Sequence, residues 1–247
     1  METVEMIKKA FGNSSDLIVR PFYWDQVEVT LVECETLTSS TFVNEYILQR
    51  LTRLTLTPQN KETALFNLLP NNSITILNDV QQMYDYICKG FALLVYGEKK
   101  AMAIEAKADL DRGIGQSDSE STVRGSKDAF NENFNTNVGL IRRRIRSEHC
   151  YLDSLYIGKQ TRTKIGIMYM NTIVEFKNVD TIKKRLQKIN TDGILDSGVL
   201  KGYLEDKHNF FFPTVMATER PDKVSQALLE GKIAVIADNS PYVLLTP

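Results

Sequence analysis

Apolar and polar residues alternate along the chain with two different periods, which predict where strands and helices lie. Apolar side chains two residues apart, as at Val27, Val29 and Leu31, are typical of strands with one buried face. Apolar side chains three and four residues apart are typical of helices that pack one side against a core. The sequence therefore predicts strands over 17–24, 26–33, 91–96, 101–107, 151–158, 163–170, 214–218, 233–237 and 242–245, and helices over 2–11, 39–54, 61–69, 78–88, 179–190 and from 221 onward.

A stretch without apolar periodicity separates two sets of these elements. Residues 109–121 are polar, small and rich in glycine, which is typical of a linker or a mobile loop. Strands and helices alternate on both sides of it, with no internal repeat at the residue level. The sequence therefore predicts an α/β fold of two small α/β subdomains with mixed sheets, one over 1–115 and one over 116–247.

An arginine-rich helix is predicted at the start of the second subdomain. Four arginines crowd its last turn, where cations complement the negative end of the helix dipole. At about 100° per residue, Arg142, Arg143 and Arg146 project away from the apolar face, whereas Arg144 falls near its edge. So much positive charge indicates either an anionic partner or a solvated helix end. The positions that repeat at helical spacing, and should pack against a core, are Phe130, Phe134, Val138, Ile141 and Ile145.

Composition and charge narrow the class of protein. The 247 residues include 30 Lys or Arg and 31 Asp or Glu, and the formal net charge of -1 is unsuited to bulk attraction to nucleic acid or anionic lipid. Any such contact would be local. The three cysteines are far apart and lack metal-site spacing, which indicates reduced thiols in a cytoplasmic compartment. Because neither a signal peptide nor an apolar stretch of roughly 20 residues is found, we expect a soluble protein on the cytosolic side.

Catalytic motifs are mostly missing, with one pattern that resembles an enzyme site. The two histidines lie near no nucleophile signature, and no phosphate-binding loop occurs. Glu105 and Lys107 share one face of a predicted strand, and an acid-x-lysine strand with an upstream acid such as Asp79 or Asp85 is the arrangement of metal-dependent nucleases. A solvated outer face on a sheet edge is the commoner explanation, because acid-x-lysine occurs often by chance, and the chain has no basic surface for DNA.

An ordered series of motifs runs from this arginine-rich helix to the end of the chain and resembles the A subunits of GerA-type spore germinant receptors. The resemblance covers most of the chain from Ser117 onward, whereas the first hundred residues match only loosely. Where that family usually has Gly-Pro-Arg-Glu, this chain has Gly125-Ser126-Lys127-Asp128, which keeps the charges but lacks the rigid proline. The motifs include Val123-Arg124-Gly125, Ala129-Phe130-Asn131-Glu132, Leu140-Ile141-Arg142-Arg143-Arg144-Ile145, Gly158-Lys159-Gln160-Thr161-Arg162-Thr163-Lys164, Asn190-Thr191-Asp192-Gly193-Ile194 and Thr218-Glu219-Arg220-Pro221-Asp222-Lys223.

The resemblance implies a function in spore germination without catalysis, cofactor or metal. Subunits of this family look like membrane proteins with a large N-terminal domain on the cytosolic side, followed by transmembrane helices. They assemble with a permease-like B subunit and a lipoprotein C subunit in the spore inner membrane, sense nutrients and trigger germination. We therefore expect this chain to be that domain, on the core side of the membrane, with the membrane-spanning region outside this chain and no nucleic-acid partner.

The resemblance also suggests which residues take part in signal coupling. An alternative is a small-molecule module that holds the nutrient in the cleft between the subdomains, and a third possibility is the nuclease. The candidates for a surface between subdomains or between subunits are Arg124, Lys127, Asp128, Asn137, Arg142, Arg143 and Arg144, with Glu219 and Arg220 opposite them.

Overall fold

The chain forms two compact units. The computed structural model describes residues 2–24, 27–51, 53, 55, 57, 59–68, 73–110, 120, 126–205 and 214–247. Unit 1 consists of Met1–Asp109 with Arg146–Glu148, and unit 2 consists of Leu110–Ile145 with His149–Pro247. The predicted boundary at 115/116 lies outside the described residues and stays a prediction. Each unit contains a five-stranded sheet with helices, so the predicted α/β class is confirmed.

Unit 1 has a sheet in the strand order β1-β2-β4-β5-β3. Its central strand β4 is a continuous apolar run because both faces of the strand are covered. The helix that follows β2 contains a π-helical segment at Val43–Leu48. The elements of unit 1 are α1 (Glu2–Ala10), β1 (Leu17–Trp24), β2 (Val27–Cys34), α2 (Ser40–Phe42), the π-helical segment, α3 (Gln49–Leu51), α4 (Lys61–Leu68), β3 (Ile74–Leu77), α5 (Val80–Cys88), β4 (Phe91–Gly97) and β5 (Lys100–Glu105).

Unit 2 has a sheet in the strand order β6-β7-β9-β10-β8. Its central strand β9 is buried at every position, which explains its purely apolar sequence. The elements of unit 2 are α6 (Phe134–Arg144), β6 (Cys150–Ile157), β7 (Thr163–Met170), α7 (Phe176–Gln187), α8 (Ser197–Leu204), β8 (Met216–Thr218), α9 (Pro221–Leu229), β9 (Ile233–Ala237) and β10 (Val243–Thr246).

The prediction of mixed sheets is wrong, because every strand pairing among the described residues is antiparallel. Alternating strands and helices usually produce parallel neighbours. Here β3 and β4 do run in the same direction with α5 between them, but β5 lies between the two strands and opposes both. In unit 2, β10 separates β8 from β9 in the same way. Each unit is thus built on a split β-α-β arrangement.

The two units repeat one order of elements: a helix, a hairpin, further helices, a strand, a helix and a second hairpin. The first hairpins have the same number of paired positions, eight from Leu17↔Cys34 in unit 1 and eight from Cys150↔Met170 in unit 2. Two glycines end the equivalent helices α5 and α9: Gly90 has φ 81° and Gly231 has φ 85°. The repeat lies in the architecture and not in the residues, which is why the sequence did not display it.

Each unit has an apolar core on the side of its sheet that carries the middle helices. In unit 1 the core includes Val43 and Ile47 of the π-helical segment packed with Leu31 of β2. In unit 2 it includes Ile182 of α7 and Leu200 of α8 packed on the sheet. Since the buried sides of α7 and α8 enter one core, the two helices cover the same side of the unit 2 sheet.

Candidate functional site

The arginine-rich helix is α6, which is shorter than its apolar repeat suggested. Asn133 begins it by accepting a hydrogen bond from Thr136 N (2.9 Å), and Phe134 N donates to Asp238 Oδ1 (3.3 Å). The Phe134 ring lies over Gly166 of β7, where a Cβ atom would approach the ring to 2.8 Å. Phe130 precedes the helix but is buried, so the apolar repeat predicted the burial correctly and the helix start too early.

Asn137 is fully buried in α6 and joins two loops. Its Oδ1 accepts from Asn131 N (2.8 Å), while its Nδ2 donates to Asn131 O (2.6 Å) and to Ser240 O (3.3 Å). A buried amide requires such partners, because leaving them unmet costs about 1–3 kcal/mol. Asn137 therefore positions the segment that leads into the helix and holds it near the β9–β10 connection.

Arg142 is predicted to project away from the core, but the structure buries it. Its exposed fraction is 2%, and its Nη1 donates to Cys150 O at 3.1 Å. The prediction considered one apolar face, but α6 contacts α9 as well as β9, so most of its circumference is covered. Arg142 thus ties the end of α6 to the start of β6 and presents no charge to a partner.

Arg144 clamps the segment that precedes α6. Its Nη2 lies 2.5 Å from both carboxylate oxygens of Asp128 and 3.0 Å from Ser126 Oγ, while its Nη1 donates to Leu140 O (2.9 Å). Burial alone would raise the pKa of Asp128, but hydrogen bonds from Arg144 and Ser126 and the charges of Arg144 and Arg143 outweigh it and hold that pKa below its ordinary value. The clamp is a contact within unit 2.

The other charged candidates of this segment lie at the surface or outside the described residues. Arg143 is exposed and approaches Asp128 Oδ2 only at 3.5 Å. Lys127 is also exposed. Arg124 lies outside the described residues, so its predicted role stays a prediction. Of the charged candidates around α6, Lys127 and Arg143 are the cations that the described structure leaves accessible to a partner.

The motif around Glu219 contacts the arginine segment through its main chain. Phe130 N donates to Glu219 O (2.8 Å), and the Glu219 side chain is largely buried. Arg220 forms a two-pronged pair with Asp222, with Nε–Oδ1 at 3.0 Å and Nη2–Oδ2 at 2.5 Å. The two motifs therefore meet through their main chains, and Arg220 directs its charge to its own helix start and not to α6.

A second contact between motifs was not anticipated from the sequence. The β6–β7 turn packs against the loop over 191–194: Thr163 Oγ1 donates to Ile194 O (2.6 Å), and Ile194 N donates to Thr161 Oγ1 (3.2 Å). Gly158 has φ 97°, and a Cβ atom on it would lie 2.4 Å from Thr161 Oγ1. A Cβ on Gly193 would lie 2.6 Å from Thr161 Cγ2. The glycines of both motifs were the available signal, since each permits this close approach.

The acid-lysine pair proposed for a nuclease is a local ion pair. Lys107 Nζ lies 2.5 Å from Glu105 Oε1, and this hydrogen bond lowers the pKa of Glu105. Asp79 caps α5 by accepting from Gln82 N. Within the described ranges, no group of three or more His, Cys, Asp or Glu side chains is arranged to hold a metal ion.

Two further features concern the chain as a whole. Cys34, Cys88 and Cys150 are buried and form no disulfide in the part of the chain that the structure describes. In the described part of the chain, no helix combines the length and the apolar character that crossing a membrane requires.

Comparison with known proteins identifies similar sequences and a similar fold. A family profile described as Bacillus/Clostridium GerA spore germination protein matches residues 5–247. The chain is 31% identical to the uncharacterized membrane protein YfkQ of Bacillus subtilis over 100% of this chain and 48% of that protein. It is 30% identical to spore germination protein KA of Bacillus subtilis over 97% of this chain and 45% of that protein. The chain thus spans about half the length of these relatives.

A solved structure extends the comparison to the fold. The crystal structure of the N-terminal domain of the A subunit of the Bacillus megaterium spore germinant receptor GerK3 aligns with a TM-score of 0.74 and 27% sequence identity. The alignment covers 99% of this chain and 92% of that chain. The similarity therefore extends through both units.

Proposed function

Because this chain belongs to the Bacillus/Clostridium GerA spore germination protein family, we propose that it is the N-terminal domain of a germinant receptor A subunit, where it takes part in sensing a nutrient or in transmitting that signal. The observation that carries the proposal is the alignment with the GerK3 domain over nearly all of both chains. The germination names of relatives that align over at least nine-tenths of this chain support it.

The proposal extends to the rest of the receptor. The relatives are about twice as long as this chain, and one of them is described as a membrane protein. We infer that the full-length subunit resides in the spore inner membrane with this domain on the core side. Its partners in that arrangement are a permease-like B subunit and a lipoprotein C subunit. The domain itself acts without catalysis.

The candidate interface residues divide into two groups by their contacts. Asn137, Arg142 and Arg144 make hydrogen bonds within unit 2, so they position the segment and the helix. Lys127 and Arg143 remain exposed. We assign the contact with a neighbouring subunit to these two exposed cations, which would meet acidic groups on that neighbour. Buried Glu219 holds the same segment through its main-chain oxygen, which accepts from Phe130 N, while Arg220 pairs with Asp222 at the start of α9.

A deletion in the full-length gene tests the proposed function. Spores whose receptor lacks the region corresponding to this chain should fail to germinate with the nutrient that triggers the parent strain, measured as the fall in optical density. Restoring the region should restore germination. Normal nutrient germination without it, with the receptor verified by immunoblot, would contradict the proposal.

Calorimetric titration of this domain with amino acids, sugars and nucleosides separates coupling from direct sensing. We expect no saturable heat if the domain transmits a signal received elsewhere. Saturable binding of the triggering nutrient would instead assign the domain to direct recognition.

A further inference from the structure

Unit 2 carries a continuous apolar strip on its outer helix α8. Leu195, just before the helix, has an exposed fraction of 72%, and Val199 and Tyr203 follow at 43% and 45%. Val199 and Tyr203 are four residues apart in α8, so they lie on one side of the helix, and Leu195 precedes the cap residue Asp196. Gly198 and Gly202 are the other exposed residues within α8, and Lys201 pairs with Glu205 (3.5 Å). Leaving such a strip in water is unfavourable and marks an interaction site.

Cations flank this strip because the β6–β7 turn is fixed to the loop that precedes α8. Lys159 N donates to Thr191 O (3.0 Å), and Gln160 N donates to Asp192 O (2.8 Å). Lys159 and Arg162 are exposed on that turn. The interlocked glycines Gly158 and Gly193 hold both cations beside the segment that ends at Leu195.

The last part of α7 adds further positive charge to this side of the unit. Lys184 and Lys188 are exposed, and neither forms an ion pair with another residue in the part of the chain that the structure describes. Acidic residues on this side include Asp192, Asp196 and Glu205. Asp196 accepts a hydrogen bond from Val199 N as the cap of α8, and Glu205 pairs with Lys201. The area therefore combines apolar side chains with four exposed cations.

We propose that this area, defined by Lys159, Arg162, Lys184, Lys188, Leu195, Val199 and Tyr203 and called the α8 patch, rests on an anionic phospholipid surface. An apolar strip that enters the headgroup region and cations that attract anionic lipid are the two requirements for such contact. The overall charge of -1 makes this a local contact.

The proposed function supports this occupant. The chain spans about half the length of relatives of which one is described as a membrane protein, so a domain of such a subunit would lie beside a lipid surface. This step rests on the proposed function, whereas the strip and its cations do not.

Vesicle co-sedimentation of the 247-residue chain tests the proposal. We expect the chain to pellet with vesicles of equal parts phosphatidylcholine and phosphatidylglycerol, not with phosphatidylcholine alone, and to be released at about 0.5 M salt. Lys159→Gln with Arg162→Gln should weaken binding about thirtyfold, since each of the two cations near the surface contributes about 1 kcal/mol. Leu195→Ser with Val199→Ser should weaken it at least as much.

Matched controls lie in unit 1, where Lys9→Gln and Tyr23→Ser change an exposed cation and an exposed aromatic and should leave binding intact. No pelleting, equal pelleting with neutral vesicles, or binding that the α8 patch variants do not change would overturn the proposal. A dimer that Leu195→Ser dissociates would assign the strip to a second copy and overturn it too. None of these results depends on germination, so the proposed function is tested separately.

Discussion

The two units share one framework but hold it together with different polar contacts. In unit 1, the carboxylate of Asp16 is buried and accepts hydrogen bonds from Ser14 Oγ (2.9 Å), Cys34 Sγ (3.3 Å) and Thr36 Oγ1 (2.8 Å). In unit 2, the pair of Arg144 and Asp128 is half-buried. Buried hydrogen bonds resist salt, whereas partly exposed ion pairs are screened by it. The same order of elements thus accommodates a buried carboxylate network in unit 1 and a partly exposed ion pair in unit 2.

Two carboxyl groups show this difference in their titration. In unit 1, burial raises the pKa of Glu33, and the charge of Glu35 adds to this effect against a hydrogen bond from Thr38. In unit 2, the pKa of Asp128 is lowered despite burial. A raised pKa in the folded state makes stability fall as pH rises, and a lowered pKa makes stability fall as pH drops. These two carboxyl groups should therefore contribute to the acid dependence of stability in opposite directions.

The largest effect is expected for the buried carboxylate of unit 1. Asp16→Ala should lower the free energy of unfolding by about 3 kcal/mol, because three buried donors lose their acceptor. Chemical denaturation measures this loss. Thr36→Val, which removes one donor and keeps the carboxylate, should cost about 1 kcal/mol. An Asp16→Ala loss no larger than that of Thr36→Val would show that the buried network does not stabilise unit 1.

Equivalent glycines test whether the shared framework is under the same constraint in both units. Gly90→Ala should cost about 2 kcal/mol, because the residue has positive φ and its Cβ would lie 2.8 Å from Leu37 O. Gly231→Ala should cost less, since its Cβ would lie 3.1 Å from Ile173 O. Thermal unfolding of both variants gives the comparison.

Gly202→Ala is the matched control for these glycines. Its Cβ would meet nothing within 4 Å, so the change should stabilise α8 by about 1 kcal/mol. If Gly90→Ala and Gly231→Ala were as harmless as Gly202→Ala, the two helix ends would not share the strained geometry described above.

The Arg144 clamp should contribute less than the buried network of unit 1. Arg144→Ala should lower the free energy of unfolding by about 1.5 kcal/mol, and the loss should shrink in high salt. Arg143→Ala should cost less than 0.5 kcal/mol, roughly the value of an exposed ion pair. Equal losses for the two arginines in denaturant titrations would contradict the assignment of the clamp to Arg144.

The smallest effect concerns the pH dependence of stability. The stabilisation from Asp128 is complete above its ordinary pKa of 3.8 and is lost as pH falls through its lower folded-state pKa. Glu33 acts oppositely: stability is greatest below its ordinary pKa of 4.5 and falls as pH rises through its higher folded-state pKa.

Stability curves between pH 3 and pH 8 measure both groups. At neutral pH, Glu33→Gln should raise stability by about 1 kcal/mol, since it removes a buried charge. Asp128→Asn should lower stability at neutral pH and flatten the acid limb. A Glu33→Gln variant that is destabilised more at pH 7 than at pH 4 would reverse the expected sign.

The central strands could be predicted because a strand covered on both faces is a continuous apolar run, as at Phe91–Gly97 and Ile233–Ala237. Short elements were missed. β3 has four residues at a sheet edge, and α8 contains two glycines that lower helix propensity. Neither pattern is strong enough to identify a strand or a helix from a single sequence.

The sequence predicted which segment forms the candidate site, but not which contacts its residues make. Spacing and resemblance identified the segment around α6, yet its packing against α9 and the hydrogen bond of buried Arg142 to Cys150 O depend on tertiary structure. The interlock of Gly158 with the loop at Gly193 depends equally on tertiary structure. A sequence pattern shows which face of a helix or strand is buried. It does not show which other element packs against that face, and these contacts depend on that element.

Nutrient germination of spores that carry Lys127→Gln with Arg143→Gln in the full-length subunit tests most directly whether the exposed charges of unit 2 serve the receptor. We expect slowed or abolished germination with unchanged thermal stability of the isolated domain and unchanged receptor abundance. Lys9→Gln in unit 1 should behave like the parent. Normal germination of the double variant would contradict the assignment of this surface to signal coupling.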